Sequence, residues 1–271
     1  MRTEHGTAHR RNVLKEVWMY RFALQNLILK DFRIRYRNMS LGILWSVLNP
    51  LVMLGVLVVV FSYIHPQHNE HCFPIFLLLG LIPFNFFSLC VSTSTNCVVE
   101  NAPLVKKVIF PRHILPIAVV LSQTIHLVIQ LFLLAVFILI FRVPVHSSYL
   151  WLVPVYAVEL IFILGTTLTC AAVNVYYRDA LYLIQSGLTV MFWFTPIFYS
   201  LTIVKMNLPA SLYWVYILNP LAGIIDTSRR AVLDHAGPGP SFAVAAAVAA
   251  FMLVLGFTVF NRKEKNFADK V

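Results

Sequence analysis

Few residues in this chain are of types that do chemistry, and their positions are informative. Glu159 is the one charged side chain deep inside a long apolar run. An acid at bilayer mid-depth costs about 2.5–3.5 kcal/mol by insertion measurements, so it is expected to face a bundle interior or water. Tyr156, Thr166, Thr167, Cys170 and Asn174 fall near the same helical face. That face reads either as the wall of a polar passage or as a set of interhelical hydrogen bonds. A proton relay lacks a second buried charge. The stretch HPQHNEHC offers His65, His68, His71 and Cys72, all of types that bind zinc or copper. Pro66 and the shortness of the loop count against a rigid site, so no metal is expected there. The four cysteines form no CxxC pair and read as small apolar fillers. There is no GxxxxGKS/T phosphate loop, HExxH, GxSxG or dinucleotide fingerprint. The chain is therefore expected to have no catalytic site and no cofactor of its own.

The elements around these residues are apolar to an unusual degree. Of 271 residues 59% are hydrophobic and only 12% charged, outside the balance of a soluble domain. A helix needs about 20 apolar residues to cross a membrane, and such runs appear near 41–64, 73–96, 113–141, 149–175, 181–204 and 241–260. The expectation is an all-α integral membrane protein with six spans. Continuous runs, rather than short alternating ones, exclude a lipid-facing barrel.

The net charge of +10 would suit nucleic acid, but its distribution argues for topology instead. Lys and Arg number nine before the first span, three between the second and third, one between the fourth and fifth, and four after the sixth; the intervening loops hold none, one and three. This bias places both termini in the cytoplasm and makes 261–271 a basic cytoplasmic tail. Within residues 1–40, Trp18, Phe22, Leu24, Leu27, Ile28, Phe32 and Ile34 alternate with Arg21, Lys30, Arg33, Arg35 and Arg37. That composition fits an amphipathic helix at the lipid boundary. The cytoplasmic loop APLVKKVIFPRHILP carries Lys106, Lys107 and Arg112 among apolar residues and three prolines. Pro103 can open a short helix, and Pro111 and Pro116 limit it. Leu104, Val105, Val108 and Ile109 would share one side over 103–112. The loop reads as a basic turn or as a helix docking a cytoplasmic partner.

Several runs are interrupted. The first holds Trp45 and, near its middle, Asn49-Pro50, which suits a helix lining a path or simply a packing kink. The fifth contains Gly187 and Pro196, with Phe192, Trp193, Phe194, Phe198 and Tyr199 crowding its outer half. Those rings could form an interfacial belt or flat faces for sugar rings. Residues 209–236 are too apolar for an ordinary loop, yet Pro209 and Pro220 forbid one span. Two half-helices are expected there, the second capped by Asn219 and followed by Gly237, as a re-entrant gate.

Read in order, the stretches LKDFRIRYRNMSLGILWSVLNPL (29–51), GLIPFNFF (80–87), LVKKVIFPRHILPIAVVLS (104–122), NVYYRDA (174–180), FWFTPIFYS (192–200), NPLAGIID (219–226) and RKEKNFAD (262–269) resemble the membrane subunit of polysaccharide-export ABC transporters, such as the O-antigen, teichoic-acid and capsule exporters. The resemblance implies a bacterial inner-membrane permease that pairs with a second copy and docks two copies of a separate ATPase, which binds ATP and Mg. It implies a lipid-linked polysaccharide as cargo. Residues 104–112 would match the coupling helix, with Val108, Ile109 and Phe110 packing and Lys106, Lys107 and Arg112 meeting the ATPase or lipid headgroups. Tyr177, Arg178 and Asp179 would match a second ATPase contact, 209–234 the gate, and the span-five aromatics the glycan channel. Arg229 and Arg230 are candidates for an anionic lipid headgroup at the gate, or for capping with Asp226 and Asp234.

Overall fold

The computed structural model describes residues 16, 18–36, 44–60, 72–108 and 110–271, and among them the regular structure is entirely helical. In chain order the helices are α1 (Arg21–Tyr36), α2 (Trp45–Val59), α3 (Phe73–Glu100), α4 (Ala102–Lys107), α5 (Ile114–Ile140), α6 (Leu152–Tyr176), α7 (Ala180–Phe194), α8 (Leu201–Asn207), α9 (Ala210–Ile217), α10 (Pro220–Val232), α11 (Pro240–Lys263) and α12 (Phe267–Lys270). A 3-10 turn at Ser147–Trp151 leads into α6, and another at Glu264–Asn266 joins α11 to α12.

Where six full spans were expected, four helices among the described residues are long and apolar enough to cross a membrane: Phe73–Glu100, Ile114–Ile140, Ser147–Tyr176 and Pro240–Lys270. The expected first run is described as the 15-residue α2, with Pro50 inside it. The expected fifth run stops at Phe194 rather than near 204. At 1.5 Å per residue α7 is about 22 Å long, short of a hydrocarbon core of about 30 Å. Gly187 does not interrupt it. Thr195-Pro196 does, because the residue before proline is pushed to extended geometry, here ψ 140° at Thr195.

The central helix is α3, packed against both α5 and α6. Ile75, Leu77, Leu78, Leu79 and Leu81 are essentially inaccessible, so the first half of α3 is apolar on all sides because it is enclosed on all sides. The most extensive helix pairing joins α6 to α11. It depends on two glycines: a methyl group added at Gly165 would overlap the Met252 backbone, and one at Gly256 would overlap the carbonyl of Gly165. Absent side chains let the two backbones meet, the usual device where lipid gives helices no hydrophobic reason to associate. Gly223 does the same for α10 against Ser241 and Ala245 of α11.

One end of the bundle, here called the basic end, gathers α1, α4, the α6–α7 connection and the C-terminus. Leu24 of α1 is buried against Ile114, Ile117 and Ala118 at the start of α5. Lys30 Nζ donates to Asn101 Oδ1 at 2.7 Å, linking α1 to the loop before α4. The expected basic tail is not merely solvated. Phe267 is fully buried, edge-on to Phe260 at 5.2 Å and near Tyr176, in a cluster that also holds Val105, Leu115 and Leu168. The opposite, far end carries the α5–α6 hairpin, the irregular segment 195–200, α8 to α10 and the turn into α11.

Candidate functional site

At the basic end, helix α4 ends at Lys107 because Val108 is already extended, with φ −122° and ψ 134°. The expected helix over 103–112 is therefore only about a turn and a half, ended by the extended Val108. Its faces divide differently from the expected pattern. Val105 is 2% exposed and reaches into the bundle, with Leu104 and Phe110 packed against the same cluster. Lys106, Lys107 and Val108 are exposed. Ile109 lies outside the described residues. Arg112 donates from Nη1 to the carbonyl of Glu264, and His113 Nε2 lies 3.4 Å from Glu16 Oε2. Tyr176 donates to the carbonyl of Lys263, whose ammonium sits 4.3 Å over the Tyr176 ring. Tyr177, Arg178 and Asp179 project beside this assembly and are exposed. The segment that bears the exposed knob of residues 106–108 is thus packed against α3, α5, α6 and the end of α11.

At the far end the aromatic residues converge. Phe192 lies edge-on to Phe84 of α3 (5.1 Å), Trp193 (5.5 Å) and Phe198 (5.3 Å). Tyr199 donates to the carbonyl of Trp193 and accepts a hydrogen bond from Tyr216 of α9 at 3.2 Å. Trp193 and Phe194 remain two-thirds exposed. Below this cluster, between α3 and α7, lies a cleft of about 330 Å³ lined by Phe84, Ser88, Ser92, Gln185, Leu188, Thr189 and Phe192. The four polar residues stand as i, i+4 pairs, Ser88/Ser92 on α3 and Gln185/Thr189 on α7, so each pair occupies one helical face. This strip was not among the expected residues. The pairs are visible in sequence, but only the packing of α7 on α3 makes the two faces meet.

The other candidate channel residues do not join this cleft. Trp45 and Asn49 are exposed on α2, which packs on α3 and α5. Tyr156 lines a separate groove between α5 and α6. Glu159 is fully buried within the bundle, and neither carboxylate oxygen meets a hydrogen-bond partner among the described residues.

Segment 195–200 is tied to the two short helices α9 and α10. Thr195, Pro196, Ile197 and Phe198 are buried although the chain there is not helical. Buried main-chain groups without partners are costly in an apolar setting. Arg229 of α10 supplies the partners. Its Nη1 donates to the carbonyls of Pro196 (2.7 Å) and Tyr199 (3.0 Å), its Nη2 to those of Ile197 (2.7 Å) and Phe76 (3.2 Å), and its Nε also to Phe76 (3.3 Å). All five guanidinium donors are thus engaged, and the cation lies 3.4 Å from the Phe76 ring centroid. Only 6% of the residue is exposed, so this arginine is a strut between α3, α10 and the break, with no open face for a headgroup. Gly80 leaves the room: a Cβ there would stand 2.9 Å from Arg229 Nη2. Asn219 caps α10 by accepting from Leu221 N–H at 3.1 Å, and donates to Thr195 Oγ1 at 3.1 Å. Arg230 holds the following turn by donating to the carbonyl of Gly237. Beside it burial pushes the Asp226 carboxyl up, against the hydrogen bond from Ser241 and the two arginines, which lower it. Burial and the contact with Tyr199 likewise raise the Tyr216 phenol.

The histidine-rich loop 65–71 lies outside the described residues. Cys72 is described, half-buried in a left-handed conformation before α3.

The chain matches the family model described as ABC-2 type transporter over residues 23–233. The chain belongs to the ABC-2 type transporter family. It is a multi-pass membrane protein of that family's permease type. It is 30% identical over 261 residues to the O-antigen export system permease protein RfbA of Myxococcus xanthus, covering 96% of this chain and 99% of that one. A Klebsiella pneumoniae protein of the same name is 27% identical over 241 residues, covering 89% and 91%. The polysialic acid transport protein KpsM of Escherichia coli is 27% identical over 252 residues, covering 89% and 93%.

Proposed function

We propose that this permease is the membrane subunit of an ATP-driven exporter that moves a lipid-linked polysaccharide across the bacterial inner membrane. It works as a homodimer with six spans per chain, α2 and the broken α7–α8 unit completing the four long helices. Both termini and the basic end face the cytoplasm. Two copies of a separate subunit bind ATP and Mg, dock on Lys106, Lys107 and Val108, and touch Tyr177, Arg178 and Asp179. The energy comes from the ATPase through its different affinity for two permease states. Closure of the ATPase pushes α4, whose anchor Val105 carries the movement into α3 and α6. Because Arg229, Asn219 and Tyr216 tie the break after α7 to α9 and α10, the end of α7 and the gate move as one.

The observation that supports a glycan as cargo is the cleft between α3 and α7. A sugar has hydroxyl edges and C–H faces, and the cleft offers Ser88, Ser92, Gln185 and Thr189 beside the rings of Phe84 and Phe192. Sites for such ligands combine apolar walls with a few placed polar groups. A permease for small apolar lipids gains nothing from the polar strip. Gln185→Leu with Thr189→Val is expected to lower surface polysaccharide about tenfold, as the loss of one to two hydrogen bonds would. ATPase co-purification should be unchanged. Undiminished export in that variant would count against a glycan path through the cleft.

A further inference from the structure

At the far end, a groove of about 650 Å³ runs between α5 and α6, from Val145 and Tyr149 at its mouth down to Leu131 and Leu160. Both walls are helices apolar enough to span a membrane, and Leu139 and Val153 on its rim are about 70% exposed. A groove so placed in a membrane faces hydrocarbon unless protein covers it. Helix α5 ends beside the mouth in a Schellman turn, with Arg142 N–H bonded to the Leu139 carbonyl and Val143 N–H to that of Ile138. The left-handed position of that turn, φ 54°, is one that glycine usually fills. Here it holds Arg142, exposed and without a carboxylate partner among the described residues. It stands three residues from Leu139 on one side and three from Val145 on the other, both lining the groove. At the floor, Tyr156 is nine-tenths buried and its hydroxyl has no hydrogen-bond partner among the described residues.

We propose that this groove seats one acyl chain of an anionic phospholipid from the leaflet at the far end, with its phosphate on Arg142. The apolar walls take the chain, and the exposed cation of Arg142 beside the mouth selects the headgroup. The site is linked to the gate. Tyr149 lines the groove and its hydroxyl is shared between the carbonyls of Pro144 (3.4 Å) and Val232 at the end of α10 (3.5 Å), while Ser148 Oγ donates to that of Ala231 (2.8 Å). The lipid therefore braces the hairpin on which the gate helix rests, whatever the cargo.

The test uses the full transporter complex in vesicles of phosphatidylethanolamine containing phosphatidylglycerol with a photoactivatable acyl chain. Labelling should concentrate on peptides covering 131–139 and 149–160. Arg142→Gly relieves the backbone while removing the charge, and is expected to lower the preference for phosphatidylglycerol over an equally labelled phosphatidylcholine about fivefold without loss of folded protein. Ala157→Trp, at an exposed position on the wall, should block labelling of both peptides. Uniform labelling of all lipid-facing helices, unchanged headgroup preference in Arg142→Gly, or displacement of the probe by polyprenyl phosphate at equal concentration would overturn the proposal. So would crosslinking of two copies through Leu139 and Val153, since the groove would then be covered by protein.

Discussion

Replacing Arg229 with alanine is expected to collapse the far end of the bundle and to abolish export. Three of its acceptors, the buried carbonyls of Pro196 and Ile197 and the half-buried one of Tyr199, lie in a non-helical segment. Each buried acceptor left without a donor costs about 1–3 kcal/mol, so Pro196 and Ile197 alone remove roughly 2–6 kcal/mol. Total stabilities are only about 5–15 kcal/mol. The loss of the cation from the face of Phe76 adds to this. Lysine offers three donors from a single point and cannot span the same fan of carbonyls. Arg229→Lys should therefore recover part of the stability and not all of it. Thermal unfolding followed by size-exclusion chromatography of the detergent-extracted protein checks the order wild type, lysine, alanine. An alanine variant as stable as wild type would show that the segment finds its hydrogen bonds elsewhere.

Gly165→Leu should be as damaging for a different reason. The Gly165 and Gly256 backbones touch, so even one methyl group at either position overlaps main-chain atoms of the other helix. A side chain tip could swing aside; a backbone cannot. The α6–α11 pair must separate, and the packing that stabilises it in lipid falls off with distance. Overpacking of cores costs about 1–3 kcal/mol when neighbours can yield, and the cost here exceeds that range because they cannot. Gly165→Ala is expected to destabilise measurably and Gly165→Leu to leave little folded protein in membranes, read as monodisperse protein recovered per cell. Recovery equal to wild type in the leucine variant would contradict so close a crossing.

How far the sequence announces this architecture depends on the range of the interaction. Local signals are legible. Asn219-Pro220 marks the start of α10 and Asn219 indeed caps it, because capping is a contact between residues two apart. The apolar runs mark the four long helices, since burial in lipid depends on composition alone. Signals that depend on a partner distant in sequence are not legible. Arg229 near the end of a half-helix suggests a headgroup contact, yet its acceptors lie about 30 and about 150 residues away. Phe267 in a basic tail looks solvated until α4 and α11 converge on it. Val105 looks like part of a docking face until the bundle encloses it. Pro196 could be read as a kink within one span. That the chain after it stays irregular for several residues depends on donors that only the folded α10 brings.

The most direct measurement is an affinity pull-down of the full chain from mildly solubilised native membranes, compared with the variant Lys106→Glu, Lys107→Glu, Val108→Asp. These three side chains are exposed on α4 and at its end, and contribute nothing to the core beneath it. The account predicts a stoichiometric ATPase subunit with the wild-type chain, lost from the variant while the variant remains folded and membrane-inserted. An ATPase that stays with the variant, or none that accompanies the wild type even after gentle crosslinking, would contradict the claim that this permease is driven through that knob.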